Sequence, residues 1–406
     1  MHKRTALAVI GAGFGDEGKG RVVDALASAA TGPVVVVRSN GGAQAGHTVA
    51  LIDGRRHVFH HFAAGALAGA YTHLSRFFVH HPMVFAAERR ALQALGAEVE
   101  ATADPRGLVT TPWDMLVNQA VERSRGEGRH GSCGLGFGET IERSLSPRFA
   151  LTVADLAGPG LRRRCEAIQG AWTPDRLEAL GVRPTADVRE MLADPRILKV
   201  FLDDCVRFAD QVALRPDATL GADAQVVFEG AQGLMLDQVI GVMPHVTRSH
   251  TGLVHMAAIA QEAGIDALDV AYVTRAYATR HGAGPLPGGA DRLDGFDVVD
   301  LTNAPNAWQG GIRYAPLDLD RLGGAIGADL ALAPASALTL RRSLVVTCLD
   351  QARAAAPLVE GGTILAVGPT EIAQRIGRRL GMPLLAEGWG AERAALRFAD
   401  ARCAAA

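Results

Sequence analysis

The chain has 406 residues, 48% hydrophobic and 21% charged, with a formal net charge of -2. That balance fits a globular protein with a large core and excludes the broad basic field that nucleic acid recruits. Five cysteines without metal-ligand spacing read as reduced thiols of a cytoplasmic protein, and neither a secretory leader nor a membrane-spanning run is expected.

In chain order, "TALAVI" reads as a short buried strand and residues 18–29 as a helix. "PVVVV" at 33–37 is a second strand, the unbroken β-branched run of a parallel sheet. Residues 83–96 and 113–125 read as helices, the second opening after Pro112. Residues 186–213 read as one helical stretch that ends before Pro216. Strands return at 224–230, 267–276, 343–350 and 361–367, and a helix follows near 370–380. Strands alternating with helices predict an α/β protein. The expected form is a large, mostly parallel sheet flanked by helices, one domain over residues 1–406 with loop insertions. The stretch 280–320, rich in Gly, Pro and Asp, is expected to form long functional loops.

The first strand runs into "GAGFGDEGKGR", residues 11–21. Glycines between a strand and a helix let backbone N–H groups approach phosphate, and the helix N-terminus favours the anion. Lys19 adds a point charge. The loop departs from the usual phosphate cradle in two ways: Gly20 stands where Ser or Thr would hold a metal, and Asp16-Glu17 lie inside it. A tight turn with a solvated lysine is the plain alternative, but three further motifs favour a nucleotide. "NGGAQAGHTV" (40–49) sets His47 after a glycine turn at a strand's C-terminal end, where open α/β sheets bind ligands. "VVTCLD" (345–350) ends a strand in Thr-x-x-Asp, suited either to reading guanine through Asp350 or to capping the next turn, and the Gly368-Pro369 turn downstream could add backbone contacts to a base. "FEGAQGLMLD" (228–237), with "PHVTRSHTG" (244–252), offers the Gln232 amide between glycines as donor and acceptor. His60-His61 and His80-His81 are adjacent pairs whose side chains point opposite ways if extended, which favours structural roles over a shared metal. "LRRRC" (161–165) reads as a solvated helix face.

Taken together, "GFGDEGKGR", "GGAQAGHTV", "FEGAQGLMLD", "MPHVTRSHT", "RAYATRHGAGPLP" and "TCLD" resemble, in order and rough spacing, the adenylosuccinate synthetase family. The resemblance covers about residues 5–375. It implies a GTP-dependent carbon–nitrogen ligase that joins IMP to L-aspartate with Mg2+, through a 6-phosphoryl intermediate, in a homodimer. It implies that Asp16 takes the purine N1 proton and binds Mg2+ with the Gly46 carbonyl, while His47 and Lys19 serve the transferred phosphoryl group. GTP contacts are implied for Gly15, Glu17, Gly18, Lys19, Gly20, Gly46, His47, Thr48, Asp350, Gly368 and Pro369. Nucleotide-substrate contacts are implied for Asp16, Gln44, Ser132, Cys133, Gln232 and Thr247. The resemblance also implies an arginine that reaches a partner subunit, for which Arg143 and Arg148 are both candidates.

The sequence also departs from the family. Gln44 replaces an Asn, Cys133 a Thr, and Cys348 the Lys before the guanine-reading Asp. In "NAWQGGIRYAPLD" (306–318), only Arg313 remains of the arginines that grip aspartate. A dicarboxylate needs paired cations or many backbone donors. Two alternatives therefore stand beside adenylosuccinate synthesis: a ligase with a different amine or purine-like acceptor, and a weakly catalytic nucleotide-binding paralogue.

Overall fold

The structure, a computed structural model, describes residues 3–221, 224–299, 310–333 and 338–399. Ten strands form one sheet. Its middle is the Thr5–Gly11 strand, flanked in parallel by Gln225–Gly233 and Ala267–Arg275. Val34–Arg38, Tyr71–Leu74, Ala101–Ala103 and Val212–Leu214 extend it on one side. Thr339–Thr347 and Leu384–Gly388 extend it on the other, and Leu396–Phe398 closes that edge as the one antiparallel member. The expected large, mostly parallel sheet is therefore what the chain forms.

Alternation along the central strand explains the layering. Val9 faces one core, with Val22, Leu26 and Phe59; Ala8 and Ile10 face the other, with Leu268, Met256 and Ile326. Both faces are thus covered, and ligands are left the loops at the strand C-termini. A second sheet of four strands, Tyr277–His281, Ile312–Asp318, Ala356–Glu360 and Thr363–Val367, stands beside those loops.

The 186–213 stretch breaks into two helices, Ala186–Ala193 and Pro195–Gln211, before a short strand. Pro195 ends the first helix, and Asp194 caps the second by accepting from Arg196 N–H. Within 280–320, Ile312–Asp318 is a strand paired with Tyr277–His281, so that part is not loop; residues 300–309 lie outside the described residues. The "LRRRC" segment begins the Leu161–Ala167 helix, with Leu161 and Cys165 buried and Arg162 and Arg163 exposed, as expected of a solvated face.

Candidate active site

Three backbone positions mark the site. Asp16, Gln232 and Cys348 are the non-glycine residues with positive φ among the described residues, at 62°, 64° and 59°. L-residues stay in that region only where their surroundings hold them, and such positions gather at functional sites. Each lies in one of the motifs picked out above.

The loop 11–18 closes on itself. Glu17 accepts from the N–H groups of Gly13 (3.0 Å) and Gly15 (2.8 Å), and from Lys19 Nζ at 2.6 Å. Both side chains are about 3% exposed. Glu17 is therefore spent on loop geometry, and its carboxylate now occupies donors of the kind a phosphate uses. The Lys19–Ala29 helix begins at the loop's end and abuts the His47 strand. A Cβ on Gly20 would come within 2.9 Å of His47 Cβ, and one on Gly233 within 2.3 Å of the Gly13 carbonyl. A larger residue at either position would push the loop away from its neighbours.

Two glycine motifs are zipped together by Asn40, which donates to Ala231 O (3.1 Å) and accepts from Ala231 N–H (2.8 Å). This joins "NGGAQAGHTV" to "FEGAQG" and sets His47 beside Glu229. His47 Nδ1 lies 2.5 Å from Glu229 Oε1 and 2.8 Å from Arg38 Nη1, so both partners converge on that nitrogen and Nε2 is the ring nitrogen left toward the cleft. Arg38 Nη1 lies 3.2 Å from Glu229 Oε2, so a buried cation balances the buried carboxylate. Burial pushes His47 down to about 4, against the pull of Glu229, so the ring is neutral near pH 7. Burial would raise the Glu229 carboxyl, but His47 and Arg38 hold it low.

Asp16 is held differently. Its carbonyl accepts from Arg275 Nε at 2.5 Å, while its carboxylate faces the cleft with His281 Nε2 3.7 Å from Oδ2. Burial pushes that carboxyl up, against Arg275 and His281, although about 30% of its side-chain surface stays open to the cleft. A carboxyl raised in this way is a better proton acceptor than an ordinary surface aspartate.

Ten of the predicted residues line one cleft of about 450 Å³: Gly15, Asp16, Lys19, Gln44, Gly46, His47, Ser132, Cys133, Gln232 and Thr247. The Gln44 amide nitrogen is buried there without a hydrogen-bond partner, a donor available to a ligand. Ser132 is hydrogen-bonded to Asn118 (2.8 Å), and burial pushes the Cys133 thiol up to about 11, so it stays neutral. Glu17, Gly18, Gly20 and Thr48 stand behind the cleft wall. Gly18 packs on Thr347, and Thr48 pairs with Val58 in the small hairpin.

Asp350 and the Gly368-Pro369 turn lie elsewhere, at the C-terminal end of Thr339–Thr347 and the start of the Pro369–Leu380 helix. Asp350 is exposed. Arg313 is half-buried and donates through Nη2 to the carbonyls of Gly282 (2.7 Å) and Gly284 (2.8 Å). Arg143 is fully buried, donating to Asp114, Val109 O and Phe149 O, whereas Arg148 is exposed. Of the two arginines, only Arg148 is placed to reach another molecule. His61 is buried against Glu88, and no group of three or more potential metal-ligating side chains gathers among the described residues.

Sequence reasoning missed Arg38, Glu229, Arg275 and Arg280. Arg280 stacks on Phe14 with Cζ 4.5 Å from the ring and donates to Pro285 O and His245 O. The charge closing a buried strand at Arg38, and the Glu within "FEGAQG", were the available signals.

An open parallel sheet with a glycine loop, a clamped histidine and a strained aspartate at its strand C-termini defines an α/β protein with its cleft at the strand ends. Comparison with known proteins narrows this. Residues 8–301 match the family model described as adenylosuccinate synthetase, and the chain belongs to that family. It is 34% identical over 284 residues to the adenylosuccinate synthetase of Anaeromyxobacter sp. (strain Fw109-5), a match covering 69% of this chain and 64% of that protein. The Myxococcus xanthus (strain DK1622) adenylosuccinate synthetase is 34% identical over 327 residues, covering 76% and 73%. Fully ligated adenylosuccinate synthetase from Plasmodium falciparum shares the fold at TM-score 0.74 and 16% identity, covering 97% of this chain and all of that one. The succinoaminodeoxyadenylate synthetase of cyanophage S-2L, solved with dGMP and dATP, aligns at TM-score 0.59 and 15% identity, covering 99% and 97%. No helix among the described residues is long and apolar enough to cross a membrane.

Proposed function

We propose that the protein is a GTP-dependent ligase that phosphorylates the 6-oxygen of a purine nucleotide and then joins an amine at that carbon. In its simplest form this is adenylosuccinate synthesis from IMP and L-aspartate. The observation that carries the reading is Asp16: its carboxylate is raised by burial, opens to the cleft and shares that cleft with His47. A site that only bound nucleotide would have no use for a base there.

In this reading Asp16 takes the N1 proton, which leaves the 6-oxygen as the nucleophile. Lys19 and the loop N–H groups balance charge on the phosphates, and His47, its Nδ1 fixed by Glu229, presents Nε2 to the oxygen under attack. Lys19 must leave Glu17 to meet a phosphate, which makes nucleotide binding an exchange of one anion for another. The amine then displaces phosphate from C6. Gln44, Ser132, Cys133, Gln232 and Thr247 hold the acceptor, and Asp350 with Gly368-Pro369 reads the GTP base. The Asp16 carboxylate and the carbonyl of the exposed Gly46 are hard oxygen donors that would hold Mg2+. When bound, Mg2+ offsets charge on the transferred phosphoryl group.

One observation favours a different amine. The family match stops at residue 301, before the segment that should read aspartate, and Arg313 beyond it is committed to backbone carbonyls. The test is GDP release with GTP, Mg2+, an acceptor (IMP or dGMP) and a panel of amino acids. Turnover with IMP and aspartate alone supports adenylosuccinate synthesis. Turnover without preference for aspartate supports the variant ligase. No GDP with any acceptor, despite GTP binding, defeats both.

A further inference from the structure

We propose that Arg275 and Tyr277 are positioning residues that tie the strand end carrying Asp350 to the backbone of Asp16, so that base reading helps aim the carboxylate. The proposal rests on the reading that Asp350 contacts the nucleotide base and Asp16 activates the acceptor.

The tie is a continuous run of hydrogen bonds through the protein interior. Arg275 Nε donates to the Asp16 carbonyl at 2.5 Å, and Nη1 of the same guanidinium donates to the Tyr277 hydroxyl at 3.0 Å. That hydroxyl donates in turn to Gln351 Oε1 at 2.6 Å. Gln351 follows Asp350 in the single turn Leu349–Gln351. Tyr277 is about 1% exposed, and burial pushes its hydroxyl up, so it stays a protonated donor. A second, shorter tie runs in parallel: Thr347 Oγ1 donates to the Glu17 carbonyl at 2.7 Å. Consecutive carbonyls of the phosphate loop, 16 and 17, are thus both linked to the Thr347–Gln351 segment, more than three hundred positions away in sequence for the second (330).

The geometry explains why this matters. Asp16 sits at φ 62°, where a non-glycine residue is strained and its side-chain direction depends on how its peptide is held. Cys348, at φ 59°, places the same strain at the other end of the tie. A base that seats well at Asp350 fixes the Leu349–Gln351 turn. Through Tyr277 and Arg275 it also fixes the carbonyl of Asp16. A poorly seated base leaves that carbonyl less constrained, and small errors in aim reduce rate more than affinity.

The test uses the full chain with Tyr277→Phe, which keeps the ring and loses the hydroxyl, Gln351→Leu, which loses the acceptor, and Gln351→Glu, which keeps one. Turnover is measured with GTP and with ITP, which lacks the exocyclic amine that Asp350 would grip. The expected result is a kcat about tenfold lower in Tyr277→Phe and Gln351→Leu, with GTP Kd by calorimetry unchanged and Tm lowered by no more than a few degrees. Gln351→Glu should recover most of that loss. The wild type should turn over faster with GTP than with ITP at saturation, and Tyr277→Phe should lose that difference. An unchanged kcat in Tyr277→Phe, or a fall in kcat matched by weaker GTP binding and a Tm lowered by more than that, overturns the tie while leaving the ligase reading intact. A wild type with no turnover for any acceptor overturns the ligase reading, and the tie with it.

Discussion

The two walls of the cleft use charge in opposite ways. On the phosphate-loop wall, side chains are balanced against side chains: Glu17 with Lys19, and Glu229 with His47 and Arg38. That leaves Asp16 open and His47 with a free ring nitrogen. On the other side, Arg248 is paired with Glu142, whereas Arg280 and the neighbouring Arg313 spend their donors on backbone. Arg280 holds the carbonyls of His245 and Pro285, and Arg313 those of Gly282 and Gly284. Burial and the neighbouring Arg313 charge lower Arg280 to about 10, the mark of two cations packed close without a carboxylate between them. One wall balances its charges side chain to side chain, and in the proposed reading a ligand phosphate would take the place of Glu17 on Lys19. The other uses cations to shape loops, so an arginine counted from sequence is not a free hand for a substrate carboxylate.

Substitutions can break or sharpen this contrast. The largest effect is expected for Asp16→Asn, which keeps shape and removes the base. Turnover should fall by roughly 10²–10⁴-fold while calorimetry still detects GTP binding. Near-normal turnover would mean the open carboxylate is incidental. Next is Glu229→Gln, which strands the buried Arg38 charge and frees His47. Chemical unfolding should show a loss of about 3–5 kcal/mol, with slower turnover in the folded fraction. A neutral outcome would show that this wall is not built on its buried charge pair. Arg313→Ala should cost about 1–3 kcal/mol in unfolding experiments through two lost charged hydrogen bonds, and KM for the amine and for the nucleotide should shift together. If KM for the amine alone rises sharply, Arg313 grips substrate and the contrast fails. The smallest effect is expected for the exposed Arg148→Ala, with stability within about 0.5 kcal/mol of the wild type. The buried Arg143→Ala should instead lose several kcal/mol, on the order of a broken internal ion pair.

What the sequence made legible follows the same division. Five central strands of the large sheet, the helices near 18–29, 83–96, 113–125 and 370–380, and the cleft residues were readable because each lies in a contiguous run. The short edge strands were not, and the 361–367 strand joins the second sheet. The partners that set the geometry of the cleft were not readable either, because they come from far along the chain. Glu229 is 182 positions from His47, and Arg275 is 259 from Asp16. No local spacing encodes such pairs; the parallel sheet creates them by aligning strand ends. The choice between Arg143 and Arg148 failed for a related reason, since only packing against Asp114 reveals which arginine is internal. The Leu319–Leu332 helix escaped notice because Gly323, Gly324 and Gly327 weaken its helical pattern, while Asp318 caps it in a way visible only once the preceding strand is placed.

If the open Asp16 carboxylate turns the purine 6-oxygen into a nucleophile toward GTP, that oxygen leaves the purine with the phosphate. The most direct measurement uses IMP labelled with ¹⁸O at that oxygen, with GTP, Mg2+ and whichever amine supports turnover, and follows the label by mass spectrometry. The predicted result is ¹⁸O in the inorganic phosphate, one atom for each product formed. Label retained in the nucleotide, or released to water while unlabelled phosphate accumulates, would contradict the claim.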